Sequence, residues 1–339
     1  MVAAGVLLGR ADVEAAARYL AGKIVRTPVL RSPELDALAG AALLVKAESL
    51  QAGGSYKMRG ATVAIGRLAE AREPASGVIA QSTGNHAVAV ALAARRYGLA
   101  AVVVLPVDAP ATKVAMAEAA GAKVILAGTT VEDRMAVVRE LQASTGHVFV
   151  DSYDHPDVVV GQGTATLELI EDARPDAVVV PVGGGGGVAG AVLAAAGTGI
   201  DVFGVEPVGC DSLARSLEAG RRVTVEPAPT LADGLRPSRV GALPFDLVRA
   251  AGVEVVRVDD AAIAEAFRFV LMNLKLLAEP SGAAAIAGAL QIAARGTHRT
   301  IGVLLTGGNI EADLVTQLMS AKGRTADDGL AGAGQEGTA

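Results

Sequence analysis

The sequence predicts an α/β protein built on mainly parallel strands, and three observations carry that prediction. Strand-like and helix-like segments alternate along most of the 339 residues, the pattern that lays parallel strands into a sheet with helices on its faces. Apolar residues make up 51% of the chain and aromatics only 3%, with no Trp. Small aliphatic side chains of that kind suit strands buried on both faces under alanine-rich helices. Four strand-to-helix junctions, finally, are rich in Gly, Ser, Thr or Asn: AGGSYKMRGA (52–61), QSTGNHAVA (81–89), PVGGGGGVAG (181–190) and LLTGGNI (304–310). In open α/β sheets the ligand lies beyond the carboxyl ends of the strands, where helix N-termini point. Several bare helix starts are therefore expected to converge on one anionic ligand.

The strands read in order as ALLVKA (42–47), GVIAQS (77–82), AAVVVLP (100–106), AKVILA (122–127), HVFVD (147–151), DAVVVPV (176–182), DVFGVE (201–206), VEVVRV (253–258) and TIGVLLT (300–306). Each is short, β-branched and apolar enough for a buried strand. Between them, NHAVAVALAARRYG (85–98), TKVAMAEAAG (112–121), VEDRMAVVRELQAST (131–145) and DAAIAEAFRFVLMNLKLL (260–277) place apolar residues at helical spacing. The tail 321–339, rich in Gly, Ala and Asp, is expected to be disordered.

Composition also excludes whole classes of function. A net charge of −6 advertises neither nucleic acid nor an anionic membrane as partner. Cys210 is the only cysteine, which rules out an internal disulfide framework. With no basic leader or secretory segment at the start, a cytoplasmic location is the expectation. Residues Ala177–Ile200 carry no charge and are long enough to span a bilayer. Eight glycines and Pro181 within that stretch favour a strand, a loop and a helix instead.

The five glycines 183–187 admit three readings. Gly185, Gly187 and Gly190, with Glu206 ending the next strand about twenty residues on, fit a dinucleotide fingerprint. A single phosphate on a smaller cofactor, held by amides and a helix N-terminus, fits equally. A tight turn is the third reading. Lys57 bears on the choice, because the chain has only seven lysines and this one lies at a helix start, after a Ser55 placed to cap it. The positive end of the helix dipole disfavours its charged form. A depressed pKa makes the amine a better nucleophile toward an aldehyde.

Five segments resemble one family. GGSYKMRGA, STGNHAVAVA, VGGGGGVAG, AEPSGA (278–283) and TGGN follow, in order, the motifs of the serine/threonine dehydratase and serine racemase group. These are pyridoxal-phosphate enzymes of fold type II, similar to the tryptophan synthase β chain. The resemblance implies two open, mainly parallel α/β domains with the cofactor in the cleft: a large domain from 1–70 and 150–320, and a smaller one inserted at 71–149. It makes Lys57 the lysine that binds pyridoxal phosphate. Gly183, Gly184, Gly185 and Gly186 become the phosphate cradle, with Gly187 added where the family carries a bulkier apolar residue. Asn85 is expected on the pyridoxal 3′-oxygen, Tyr56 beside the ring and Thr306 at the pyridine nitrogen. Glu279 lines the pocket or serves packing or helix capping. The amides of Ser82, Thr83, Gly84, Asn85 and His86 are expected to hold the substrate carboxylate.

The implied reaction is dehydration and deamination of a β-hydroxy amino acid, L-threonine or L-serine, to a 2-oxo acid and ammonia. A hydroxyl at Thr306, where a carboxylate would hold a proton on the pyridine, favours β-elimination over transamination. Thr83 stands where racemases of the group carry serine, and Val88 and Ala89 replace the usual pair after the G-N-H segment. Dehydration of another substrate (of the hydroxyectoine-utilisation or hydroxyaspartate type), racemisation, and the nicotinamide dehydrogenase or non-catalytic cofactor-binding readings therefore stay open. The resemblance further implies a homodimer. It also implies a Mg2+ or monovalent cation at Glu206, the Cys210 carbonyl and Asp211, an aspartate displaced by one from its usual place. His147, His155 and His298 show no ligand spacing and read as structural.

Overall fold

The computed structural model describes residues 8–82, 84–109 and 111–320. In chain order the strands among them are β1 (Val29–Leu30), β2 (Ala42–Ala47), β3 (Gly77–Gln81), β4 (Ala100–Leu105), β5 (Lys123–Leu126), β6 (Val148–Phe149), β7 (Ala177–Pro181), β8 (Asp201–Pro207), β9 (Glu254–Val258) and β10 (Thr300–Leu305). One sheet has six strands in the order β1-β2-β10-β7-β8-β9, and the other has four in the order β5-β4-β3-β6. Only β1, at the edge against β2, runs antiparallel to its neighbour. The chain is α/β with parallel sheets, as its sequence predicts.

Period-two alternation explains why the six-stranded sheet needs helices on both faces. Ala177 and Val179 of β7 pack with Ile286, Ala289 and Phe267 on one side, while Val178 and Val180 pack with Val188, Leu169 and Val248 on the other. In β10, Val303 and Leu304 divide in the same way. Gly190 lets the helix Gly186–Ala195 approach Pro156–Ala173 backbone to backbone; a Cβ there would stand 2.5 Å from the amide nitrogen of Gly163. The uncharged stretch Ala177–Ile200 resolves into β7, the glycine turn and this helix. No described helix is long and apolar enough to cross a membrane.

Register places the junctions together. β10 pairs with β2 from Thr300↔Ala42 to Leu305↔Ala47, so the two strands end level. The segments that follow them zip up: Tyr56 N donates to the Thr306 carbonyl at 3.0 Å, Ser55 bridges Gly307, and Gly308 N donates to the Gly54 carbonyl at 2.9 Å. Beneath them lies a buried charge cluster. Arg59 donates to both oxygens of Glu48 and both oxygens of Glu168, each at 2.8 Å. Lys46 donates to Glu168 at 2.6 Å and to the Thr27 carbonyl at 2.7 Å. The cluster ties β2 and the helices Lys57–Ala69 and Pro156–Ala173 to one another.

Two sequence expectations are corrected. The segment 260–277 is not one helix: regular helix ends at Phe269, a π turn occupies Val270–Leu274, and Lys275 stops it at φ 57°. Ser55 does not cap its helix. The N-cap is Tyr56 with no side-chain bond, because Ser55 is drawn into the bridge to Gly307.

Candidate active site

Lys57 opens the helix Lys57–Ala69 and keeps part of its surface exposed. Its Nζ donates to the Ser152 carbonyl at 2.9 Å and stands 5.4 Å from the centre of the Tyr56 ring. Burial of the amine pushes its pKa down to about 8, against the opposing charges of Asp151 and Glu279. Near neutral pH an appreciable fraction of the amine is therefore unprotonated, able to attack a carbonyl carbon or accept a proton.

The glycine loop runs from β7 to the helix Gly186–Ala195, with Gly183 at φ 54° and Gly185 at φ 93°. Both conformations are disfavoured for residues with a Cβ. Close packing restricts two more positions. A Cβ on Gly184 would fall 2.1 Å from the ring of Tyr153, and one on Gly187 would fall 2.9 Å from the Tyr56 hydroxyl. Gly187 is thus small because Tyr56 occupies the volume a larger side chain would take. With no side chains, the loop can offer an anion only backbone amides at a helix start, the groups that bind phosphate.

Asn85 begins the helix Asn85–Arg96 after Gly84. Its Nδ2 donates to Glu279 Oε1 at 2.8 Å and Oε2 at 3.1 Å, and its Oδ1 accepts from Asn309 Nδ2 at 2.8 Å. Asn309 is held in turn by the Gly53 carbonyl, also at 2.8 Å. Glu279 precedes the helix Pro280–Ala293 but makes no side-chain cap, so the capping reading fails and its side chain is committed to Asn85. Burial lifts the Glu279 carboxyl to about 7, opposed by the Asn85 hydrogen bond. Ser82 Oγ accepts from Gly84 N at 3.3 Å. Thr83 lies outside the described residues. His86 is buried; its Nε2 donates to the Val150 carbonyl at 2.9 Å, and burial drops its pKa to about 3, leaving it neutral. Thr306 ends up 6% exposed just beyond β10. His155 caps the helix Pro156–Ala173 and His298 pairs with Asp201, both structural duties.

The structure adds residues that the motifs pass over. The turn 151–154 supplies the Ser152 carbonyl to Lys57 and the Tyr153 ring to the glycine loop. Asp151 holds the turn by accepting from the amides of Tyr153 and Asp154 at 2.9 and 2.7 Å. Asp154 then caps the helix Ala242–Ala250 through the amides of Ala242 and Leu243. The signal available was composition: in a chain with four tyrosines, one lies two residues beyond a predicted strand end.

The dinucleotide reading loses its parts. Gly190 is committed to helix packing, and Glu206, 1% exposed, accepts the amides of Leu213 and Ala214 at 2.9 Å, so its carboxylate is buried at the start of a helix rather than open to a ribose. Residues 20–307 match the sequence profile of the pyridoxal-phosphate dependent enzymes. The chain belongs to that family. Among relatives of this pyridoxal-phosphate enzyme, the L-threo-3-hydroxyaspartate ammonia-lyase of a Pseudomonas species is 39% identical over 91% of this chain and 97% of its own. A threonine deaminase of T.th. superposes with a TM-score of 0.84 at 42% identity, over 89% of this chain and 99% of that one. Maize serine racemase superposes at 0.87 and 36% identity, over 92% and 97%.

The Glu279 carboxyl gives a pH prediction for the cofactor-free enzyme. Its pKa is raised from 4.5 to about 7, so the folded state binds a proton that the unfolded state releases between those values. The stability this contributes is full below the unfolded pKa and is lost as pH rises through about 7. Stability should therefore fall over that window by up to about 1.4 kcal/mol per pH unit from this group. Glu279→Gln should flatten the profile, read as urea midpoints from pH 5 to 8; parallel profiles for the two proteins would contradict it.

Proposed function

We propose that the enzyme dehydrates and deaminates a β-hydroxy amino acid, of the L-threonine or L-serine type, to a 2-oxo acid and ammonia. The observation that carries this reading is the Lys57 amine, held at the cleft with its pKa lowered to about 8. Bound pyridoxal phosphate supplies an electron sink that acidifies the Cα–H bond of an amino acid. Gly183, Gly184, Gly185, Gly186 and Gly187 would hold its phosphate at the helix start, Tyr56 would pack beside its ring, and Asn85, with Glu279 behind it, would meet its 3′-oxygen. Thr306 would offer a hydroxyl to its pyridine nitrogen. Ser82, Gly84, Asn85 and His86, with Thr83 between them, offer amides to the substrate carboxylate. Lys57 takes the α-proton, and the β-hydroxyl leaves as water.

Several features support the wider picture. Residues 71–149, which carry all four strands of the smaller sheet, are read as an inserted domain. Exposed Leu50, Met272 and Leu277 suit a homodimer interface, to be checked by light scattering of the purified protein. A lone reduced cysteine suits the cytoplasm. The deciding assay is release of 2-oxo acid and ammonia from L-threonine, L-serine and L-threo-3-hydroxyaspartate. Absence of both products from all three would overturn the reading.

One observation favours hydroxyaspartate among these. A substrate with a second carboxylate needs a cation in the cleft. Lys113, bonded to Asp233 at 2.8 Å, acts on Glu279 against the stronger opposite influence of Asp233, and a second substrate carboxylate would take the place of Asp233 on it. Lys113→Met should cut kcat/KM for hydroxyaspartate about tenfold or more and spare L-serine, the loss expected for one charge-assisted hydrogen bond. Equal losses on both substrates would exclude this preference.

The glycine loop carries its own test. Gly184→Ala sets a methyl into the Tyr153 ring, so the loop or the ring must move. Affinity for pyridoxal phosphate, read by visible absorbance during titration of the cofactor-free protein, should fall about tenfold or more, the equivalent of about 1.4 kcal/mol.

A further inference from the structure

We propose that Arg257 stands in for the cation expected at Glu206, Cys210 and Asp211, and that the enzyme is built to work without a bound metal. The residues of that expected site do not offer a metal donor set. Both Asp211 oxygens are held by guanidinium groups: Oδ1 accepts from Arg215 Nε at 2.9 Å and Oδ2 from Arg257 Nε at 2.8 Å. Each Glu206 oxygen accepts a backbone amide at 2.9 Å. Cys210 could add only its backbone carbonyl, because its thiol donates to the Ala228 carbonyl at 3.2 Å. Among the described residues no group of three His, Cys, Asp or Glu side chains is arranged to hold a metal. Hard divalent cations take six or more oxygen ligands, whereas here the two carboxylates face hydrogen donors.

Arg257 is placed to do the same structural work. It lies directly opposite Glu206 in the register of β8 and β9. From there its Nε reaches Asp211 and its Nη2 reaches Glu218 at 2.7 Å, binding β9 to both ends of the helix Ser212–Glu218. Asp211 is 4% exposed, so the positive charge neutralises a carboxylate that water reaches poorly, while Glu206, 1% exposed, is held by the two amides. A guanidinium stays charged at every working pH and matches carboxylates with a rigid fork of donors. The strand it secures also matters to the cofactor. β8 pairs with β7 up to Pro181↔Val205, two residues before the glycine loop, so a fixed charge here steadies the floor of the phosphate cradle.

The test compares wild type, Arg257→Gln and Arg257→Lys, each as holoenzyme and as cofactor-free protein. All are dialysed against EDTA and then titrated with Mg2+, Ca2+ or K+. Wild type should hold its thermal midpoint within about 1 °C and its rate within about twofold throughout, because nothing binds the folded state selectively. Arg257→Gln should melt several degrees lower in EDTA and recover part of the loss with Ca2+ or Mg2+, which can then reach the freed carboxylates. Arg257→Lys, which keeps a charge, should remain indifferent to cations. A wild-type midpoint or rate that rises with Mg2+, Ca2+ or K+ would overturn the proposal. So would an Arg257→Gln protein as stable as wild type. Should Arg257→Gln not fold, the wild-type and Arg257→Lys titrations decide alone, since a cation response in either contradicts it.

Discussion

Lys57→Met is expected to lower kcat on every β-hydroxy amino acid by about four orders of magnitude, the upper range for losing a positioned proton carrier. The substitution keeps the apolar stem of the side chain and removes the amine that donates to the Ser152 carbonyl. Among the described residues no neighbouring lysine is placed to replace it, for Lys113 is paired with Asp233. Lys57→Arg should be as inactive, because a guanidinium cannot give up its proton. Stability gives a second, opposite reading. Burial disfavours the charged amine, so below about pH 8 the folded cofactor-free protein carries a penalty that grows as pH falls from the unfolded pKa of lysine. Lys57→Met lifts that penalty, and its urea midpoint at pH 7 should equal or exceed that of wild type. A variant that lost activity and melted early would instead mark Lys57 as a structural residue.

Arg59→Met is expected to produce the largest loss of stability of any single change near the cleft. Arg59 is fully buried and donates four hydrogen bonds to the Glu48 and Glu168 carboxylates and a fifth to Thr164 at 3.1 Å. Removing it leaves the buried Glu48 carboxylate with the Thr27 hydroxyl as its side-chain donor and Glu168 with Lys46. Breaking a buried ion cluster from one side costs about 3–5 kcal/mol, a large part of the 5–15 kcal/mol or so that holds a domain folded. Because Arg59 lies two residues beyond Lys57 on the same helix, pyridoxal phosphate should also bind more weakly to the variant. Urea unfolding of the cofactor-free protein gives the first number. A midpoint equal to wild type would mean that the cluster contributes nothing net.

Much of this was legible because buried parallel strands announce themselves. DAVVVPV and TIGVLLT hold branched apolar residues on both faces, and β7 and β10 lie within them. The two-residue β1, an edge strand with no such run, left no signal. The helix 131–145 was readable to its ends because Thr130 caps it reciprocally with Asp133 and Gly146 closes it. Beyond Phe269 the pattern misled, since nothing in FVLMNLK marks a π turn or a lysine at positive φ. Short motifs pointed to the cleft, and register brought them together. What they could not show were contacts made across long stretches of chain, such as Asn309 on Asn85 and Lys46 on Glu168. Nor could spacing reveal that Ser55 would join a bridge or that Arg257 would reach Asp211 from the neighbouring strand.

The central claim is that Lys57 is the residue on which the cofactor and the chemistry meet. It is tested most directly by reducing the purified holoenzyme with borohydride, digesting it and weighing the peptides. The account predicts a phosphopyridoxyl group on the peptide that contains Tyr56, Lys57 and Met58, and on no other. A group fixed to Lys46, Lys113 or any other lysine, or none fixed to the protein, would contradict it.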